Sequence, residues 1–284
     1  MARFKIGVMV DSFRLTAAEG IVKAQELGAD GVQVYVVGGE ITPEKLDAGA
    51  RVAFRKNIED RGLQISALCG DLGGHGFQVE AENDVKISRS EAIVDLAVDL
   101  GTNVVTTHIG VVPKDTSSQI YRNQLKVCRV LGDYAEKKGV TFAIETGPEH
   151  AEWLAAFLDD VASRGIGVNL DPANLVMIQN DNPVDAVHAL RKYIVHTHAK
   201  DGVHLKPCDP DKVYNSFASG GIAGLNIGEL FNEVPLGQGG VDWPKYLDAL
   251  EEIGYKGYLT VEREVGANPE ADIRTAVQFL RGLI

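Results

Sequence analysis

Eight short apolar runs, each followed by a stretch with helical spacing, limit the folds open to this chain. The first four are Lys5–Val10 (KIGVMV), Gly31–Val37 (GVQVYVV), Leu63–Leu68 (LQISAL) and Asn103–Thr107 (NVVTT). The others are Thr141–Ile144 (TFAI), Gly167–Leu170 (GVNL), Ile194–Thr197 (IVHT) and Gly257–Val261 (GYLTV). Runs of four to seven residues, mostly without polar alternation, read as strands buried on both faces. The intervening stretches predict helices over Thr16–Leu27, Pro43–Asp60, Asn83–Leu100, Ser118–Lys138, His150–Ser163, Pro183–Leu190, Pro244–Ile253 and Ala271–Leu280. Thr42 before Pro43 is the expected cap of the second helix, and Gly28, Gly101 and Gly139 close others.

Regular strand–helix alternation calls for parallel strands, and eight repeats call for a closed (β/α)8 TIM barrel of the α/β class. An open doubly wound sheet of similar content is the alternative. Nothing in the composition breaks the alternation, so one domain over 1–284 is expected. A formal net charge of −12 lacks the basic footprint that a phosphate backbone requires, which excludes nucleic acid as the expected partner. Three cysteines without a C-x-x-C pair suit a reducing compartment. The N-terminus reads directly as a first strand, and no apolar run approaches the roughly 20 residues that span a bilayer. The expectation is a soluble, cytoplasmic protein with no membrane partner.

Four late strands end in metal-competent side chains: Glu145, Asp171, His198 and Glu262. A barrel gathers such ends on its C-terminal face. Side chains two apart share a face, so Ala143, Asn169, His196 and Thr260 point inward with them, and all are small or polar. Between them lie Ile144, Leu170, Thr197 and Val261, which suit an outer face packed on helices. Strand four obeys the same rule, with Thr106 and His108 inward. Three converging carboxylates repel one another unless a cation sits among them. An O3N donor set suits Mn²⁺ first, then Co²⁺ or Mg²⁺, with Zn²⁺ as a further option.

The segments IETGPE, NLDPAN, HTHAKD, PLGQGGVDW and LTVERE resemble the sugar phosphate isomerase/epimerase family, the xylose isomerase-like barrels. The resemblance covers nearly the whole chain and is strongest from Glu145 onward. In the ketose 3-epimerase branch a Glu-Asp-His-Glu set holds one divalent metal, and it falls on Glu145, Asp171, His198 and Glu262. The resemblance implies that Glu145 and Glu262 are also catalytic: one removes the proton beside a carbonyl, the other returns it on the opposite face. A Lewis acid at the carbonyl would stabilise the enediolate between these steps. The chain departs from that branch at three places: Asn174 stands where a histidine is usual, His204 where an arginine is, and Ala151 where a glutamate is. A dehydratase or lyase of a keto-sugar or keto-inositol would use the same enolate chemistry. An endonuclease IV-type repair enzyme shares the fold, but needs more metal ligands and a basic face.

Further expected substrate contacts are His108 at the end of strand four, Asp71 in the glycine-rich loop after strand three, Lys200 in HAKD, and the substituted positions Asn174 and His204. His75 shares the loop of Asp71. Asp201 is expected to orient a histidine, and His196 to hydrogen-bond inside the barrel. Trp243 either walls the pocket or packs under its helix; Arg263 should point out of the lumen. The long connection from Ala199 to about Val241 is expected to be a lid or an oligomer contact, with a homo-oligomer (dimer or tetramer) as the assembly. Its apolar residues Ile222, Leu225, Ile227, Leu230 and Phe231 are expected to pack on something. The expected substrate is a small sugar.

Overall fold

The computed structural model describes residues 3–221 and 225–284. Its strands are β1 (Lys5–Met9), β2 (Gly31–Tyr35), β3 (Gln64–Cys69), β4 (Val104–Thr107), β5 (Thr141–Glu145), β6 (Ile166–Leu170), β7 (Ile194–Ala199), β8 (Asp201–His204), β9 (Phe231–Val234) and β10 (Tyr258–Val261). Its helices are α1 (Ala17–Glu26), α2 (Ala48–Glu59), α3 (Glu80–Leu100), α4 (Gln119–Lys138), α5 (Ala151–Val161), the single turn α6 (Pro172–Asn174), α7 (Pro183–Leu190), α8 (Pro210–Ala218), α9 (Trp243–Glu252) and α10 (Pro269–Arg281). Parallel pairing closes a barrel in the order β1-β10-β7-β6-β5-β4-β3-β2, while β8 and β9 form a separate antiparallel pair. Among the described residues no helix is long and apolar enough to cross a membrane.

The barrel follows from the strand pattern. Ile144, Leu170 and Val261 are buried in the layer between strands and helices. Thr197 occupies the same outer layer, where its hydroxyl donates to the Leu170 carbonyl at 2.7 Å and meets the Tyr246 hydroxyl of α9 at 2.6 Å. Inside, space is short: a Cβ at Gly7 would stand 2.6 Å from Thr260 Oγ1 across the β1–β10 pairing. Helix starts are set by side-chain caps. Thr16 and Glu19 form a capping box on α1, and Ser118 accepts from Tyr121 N on α4.

Two parts differ from the sequence reading. Helix α2 begins at Ala48, because Asp47 rather than Thr42 supplies the cap, accepting from Ala50 N. Pro43 opens only a turn, in which Leu46 N returns to Thr42 O, and Arg51 satisfies the carbonyls of Pro43 and Leu46. The long connection is also not one loop. It holds the β8–β9 hairpin and α8, whose Asp209 cap accepts from Asp211 N and Lys212 N. Phe231 and Val213 form a small cluster with Ala173 and Met177, onto which Ile227 and Leu230 pack. That satisfies the expected packing of these connection residues; Leu225 is half-buried, and Ile222 lies outside the described residues.

Candidate metal centre and active-site cavity

Glu145 is the last residue of β5, Asp171 follows β6, His198 lies near the end of β7 and Glu262 follows β10. All four are buried, and one ligand atom from each lies within 4.8 Å of the others. His198 Nδ1 stands 3.6 Å from Glu145 Oε1, 3.4 Å from Asp171 Oδ2 and 3.3 Å from Glu262 Oε2. Asp171 divides its work. Oδ1 accepts from Ala173 N and Asn174 N and so caps α6, while Oδ2 is buried with no hydrogen-bond partner. A buried carboxylate oxygen without a partner is costly unless a cation serves it. These donors therefore fit a divalent ion, as O3N spacing predicts.

Each ligand is held from behind. Asn169 Nδ2 donates to Glu145 Oε2 at 3.1 Å and Asn174 Nδ2 to Glu145 Oε1 at 3.2 Å. Gly147 makes the second contact possible, since a Cβ there would lie 2.6 Å from Asn174 Cβ. Thr146 ties the ends of β5 and β6 together, accepting from Asp171 N at 2.8 Å. Lys200 Nζ donates to Glu262 Oε2 at 3.0 Å and pairs with Glu264. Burial opposes the charge on Lys200, but Glu262, Glu264 and Asp171 outweigh it and hold the ammonium well above its ordinary pKa. Burial likewise opposes ionisation of Glu262, and Lys200 with His198 keeps that carboxyl well below the usual range.

The cluster opens into a cavity of about 310 Å³. One wall is polar, with Glu145, Glu262, Lys200, Asn174, His108 and Asp71. His108 Nδ1 contacts Asp71 Oδ2 at 2.9 Å, and its Nε2 lies 3.5 Å from Glu145 Oε1. Burial lowers the His108 pKa, but Glu145, Asp71 and Glu262 together push it up to about 10. The opposite wall is apolar: Met177 and Ile178 after α6, Val213, Tyr214 and Phe217 on α8, and Phe231 on β9. The connection read as a candidate lid thus supplies much of the cavity's second wall.

Most of the expected substrate contacts reach this cavity; His204 does not. Its Nδ1 meets the Met177 carbonyl at 2.8 Å, and it is absent from the lining because the hairpin turns its ring to the back of Met177. Asp201 orients no histidine. Its carboxylate accepts from Gly202 N, Gly237 N, Val241 N and Trp243 Nε1 and so fastens the connection. Trp243 is buried among the helices, and Arg263 points outward to Glu233 and Asp272. His196 hydrogen-bonds inside the barrel, 2.9 Å from Thr260 Oγ1. Gln33 and Tyr35 on β2 were missed, although GVQVYVV carries the same inward alternation as the late strands. Tyr35 lines the cavity; Gln33 lies beneath it. The glycine-rich loop contributes Asp71, Gly73 and Gly74 to the lining, while His75 reaches Asn215 on α8 at 3.1 Å.

The family described as xylose isomerase-like TIM barrel matches residues 21–283. The chain belongs to this family. This xylose isomerase-like barrel resembles a xylose isomerase domain protein from Planctomyces limnophilus at 28% identity and TM-score 0.80, over 99% of this chain and 97% of that one. It also superposes on a D-psicose 3-epimerase crystallised with D-fructose, at 17% identity and TM-score 0.73 over 99% of both chains. The probable 3-DHS dehydratase AsbF of Bacillus anthracis, involved in petrobactin synthesis, shares the fold at 19% identity and TM-score 0.73, over 98% and 99% of the two chains. An uncharacterised protein of Methanocaldococcus jannaschii is 23% identical over 184 residues, 60% of this chain and 54% of that protein. The chain thus spans about half the length of this curated relative.

Proposed function

We propose that this protein is a metal-dependent isomerase or epimerase acting on a sugar or sugar derivative through an enediolate. The observation that carries this reading is the pair Glu145 and Glu262, which line one cavity beside His198 although they come from β5 and β10, three places apart around the barrel. Glu145, Asp171, His198 and Glu262 would hold the ion, Mn²⁺ foremost, whose chemistry is Lewis-acid stabilisation of negative charge beside a carbonyl. Glu145 is aimed by Asn169 and Asn174 and takes the proton from the carbon next to that carbonyl. The electron pair of the broken C–H bond moves toward the carbonyl oxygen. Glu262 serves the other face, its carboxylate held in place by the Lys200 ammonium 3.0 Å away. Incubation of the metal-loaded protein with a panel of ketoses in D2O tests this by NMR. Deuterium enters beside the carbonyl of at least one ketose without loss of water; absence of exchange across the panel contradicts the reading.

A dehydratase is the second reading, favoured by the Asp71–His108 pair. With Nδ1 held by Asp71, the imidazole turns Nε2 to the cavity beside Glu145, where it can protonate a departing hydroxyl. Loss of water from a keto substrate in the same NMR experiment, abolished by His108→Gln, would select it. The dehydratase among the structural neighbours shows only that the fold accommodates such chemistry.

A further inference from the structure

Resting on the metal-centre reading, one residue outside the cavity acquires a role. His198 turns Nδ1 to the three carboxylates at 3.3–3.6 Å. An imidazole ligates only through an unprotonated nitrogen, so its remaining proton must sit on Nε2. A buried N–H there needs an acceptor. Asn169 presents Nδ2, itself a donor, at 3.2 Å. Gln33 presents Oε1, also at 3.2 Å. Gln33 lies on β2, fully buried, one lumen layer below Tyr35. A glutamine amide can face either way, and the Thr106 hydroxyl on β4, 2.9 Å away, suits both; an Nε2–H on His198 decides it, drawing Oε1 toward β7 and leaving Gln33 Nε2 to donate to Thr106 Oγ1. The same oxygen lies 3.1 Å from His196 Nε2.

We propose that Gln33 is a positioning residue of the metal centre: it accepts the Nε2 proton of His198, fixes the tautomer that bares Nδ1, and thereby sets metal affinity. Partners of this kind, behind a ligating histidine, typically alter affinity by about 10–100-fold when removed. Titration of metal-free protein with Mn²⁺ tests it. Gln33→Leu weakens binding by about 10–100-fold, and Gln33→Glu, which keeps an acceptor oxygen, restores most of it. Imidazole 15N NMR of the Zn²⁺-loaded wild-type protein shows His198 protonated on Nε2 and ligating through Nδ1. This spectrum decides the matter even where Gln33→Leu fails to fold. Unchanged affinity in folded Gln33→Leu, or ligation through Nε2, overturns the proposal and leaves the metal centre standing. Absence of metal binding by the wild-type protein overturns both.

Discussion

Asp171 performs two separable tasks. Oδ1 caps α6, while Oδ2 faces the ligand cluster. Asp171→Asn keeps a capping oxygen and removes the charge; Asp171→Ala removes both. The first is expected to leave the urea midpoint of metal-free protein unchanged or higher, since it removes an unpartnered buried charge, and the second to fall below the first by about 1 kcal/mol, the worth of a typical cap. Glu149 offers a pH test in the loop that follows Glu145. Its side chain is buried with Val112 N as donor, and desolvation pushes its pKa up to about 7 from an ordinary 4.5. Between those values the folded state holds a proton that the unfolded state has lost, so stability falls as pH rises from 4.5 to 7 and then levels. The drop is on the order of 3 kcal/mol, and Glu149→Gln abolishes it. Urea titrations at a series of pH values, wild type against variant, read both effects. Neither residue's second task is legible in the sequence: a strand-end position marks Asp171 only as a possible ligand, and nothing marks Glu149. A carboxylate in a turn carries no sequence mark of whether its partners are backbone, water or metal.

The late strands were legible because each carries two signals at once, apolar outer residues and a polar inner pair ending at the strand tip. Strand β2 carries the same pattern but ends in tyrosine, so Gln33 and Tyr35 bear no metal-ligand mark. The β8–β9 hairpin was illegible for a different reason. Its strands have four residues each and are joined by a long excursion rather than a two-residue turn, leaving no hairpin signature. Its attachment depends on Asp201, which gathers donors from Gly237, Val241 and Trp243 as well as its neighbour Gly202. Asp201→Ala strands several buried N–H groups, each worth about 1–3 kcal/mol. An overall loss of at least about 3 kcal/mol is expected in urea unfolding. Helix α8 belongs to the same unit and lends Phe217 to the cavity while leaving it 63% exposed. If the cavity binds substrate as proposed, Phe217→Ala is expected to raise KM severalfold with little change in kcat, since Phe217 lines the cavity without belonging to the Glu145–Asp171–His198–Glu262 cluster; steady-state kinetics check it.

At the scale of the whole molecule, the barrel joins groups from β5, β6, β7 and β10 that are far apart in sequence, and the proposed ion would be their common partner. A ligand that binds only the folded state stabilises it by mass action, by about 2.7 kcal/mol at a hundredfold excess over Kd. Thermal unfolding is therefore expected to move up with added Mn²⁺ and back with chelator. The acidic net charge of −12 favours a cation in the same direction but without stoichiometry. The decisive measurement is calorimetric titration of metal-free protein with Mn²⁺, wild type beside Asp171→Asn. The account predicts one ion per wild-type chain and loss of that site in the variant with its fold intact. No stoichiometric binding by the wild type, or equal binding by folded Asp171→Asn, would contradict it.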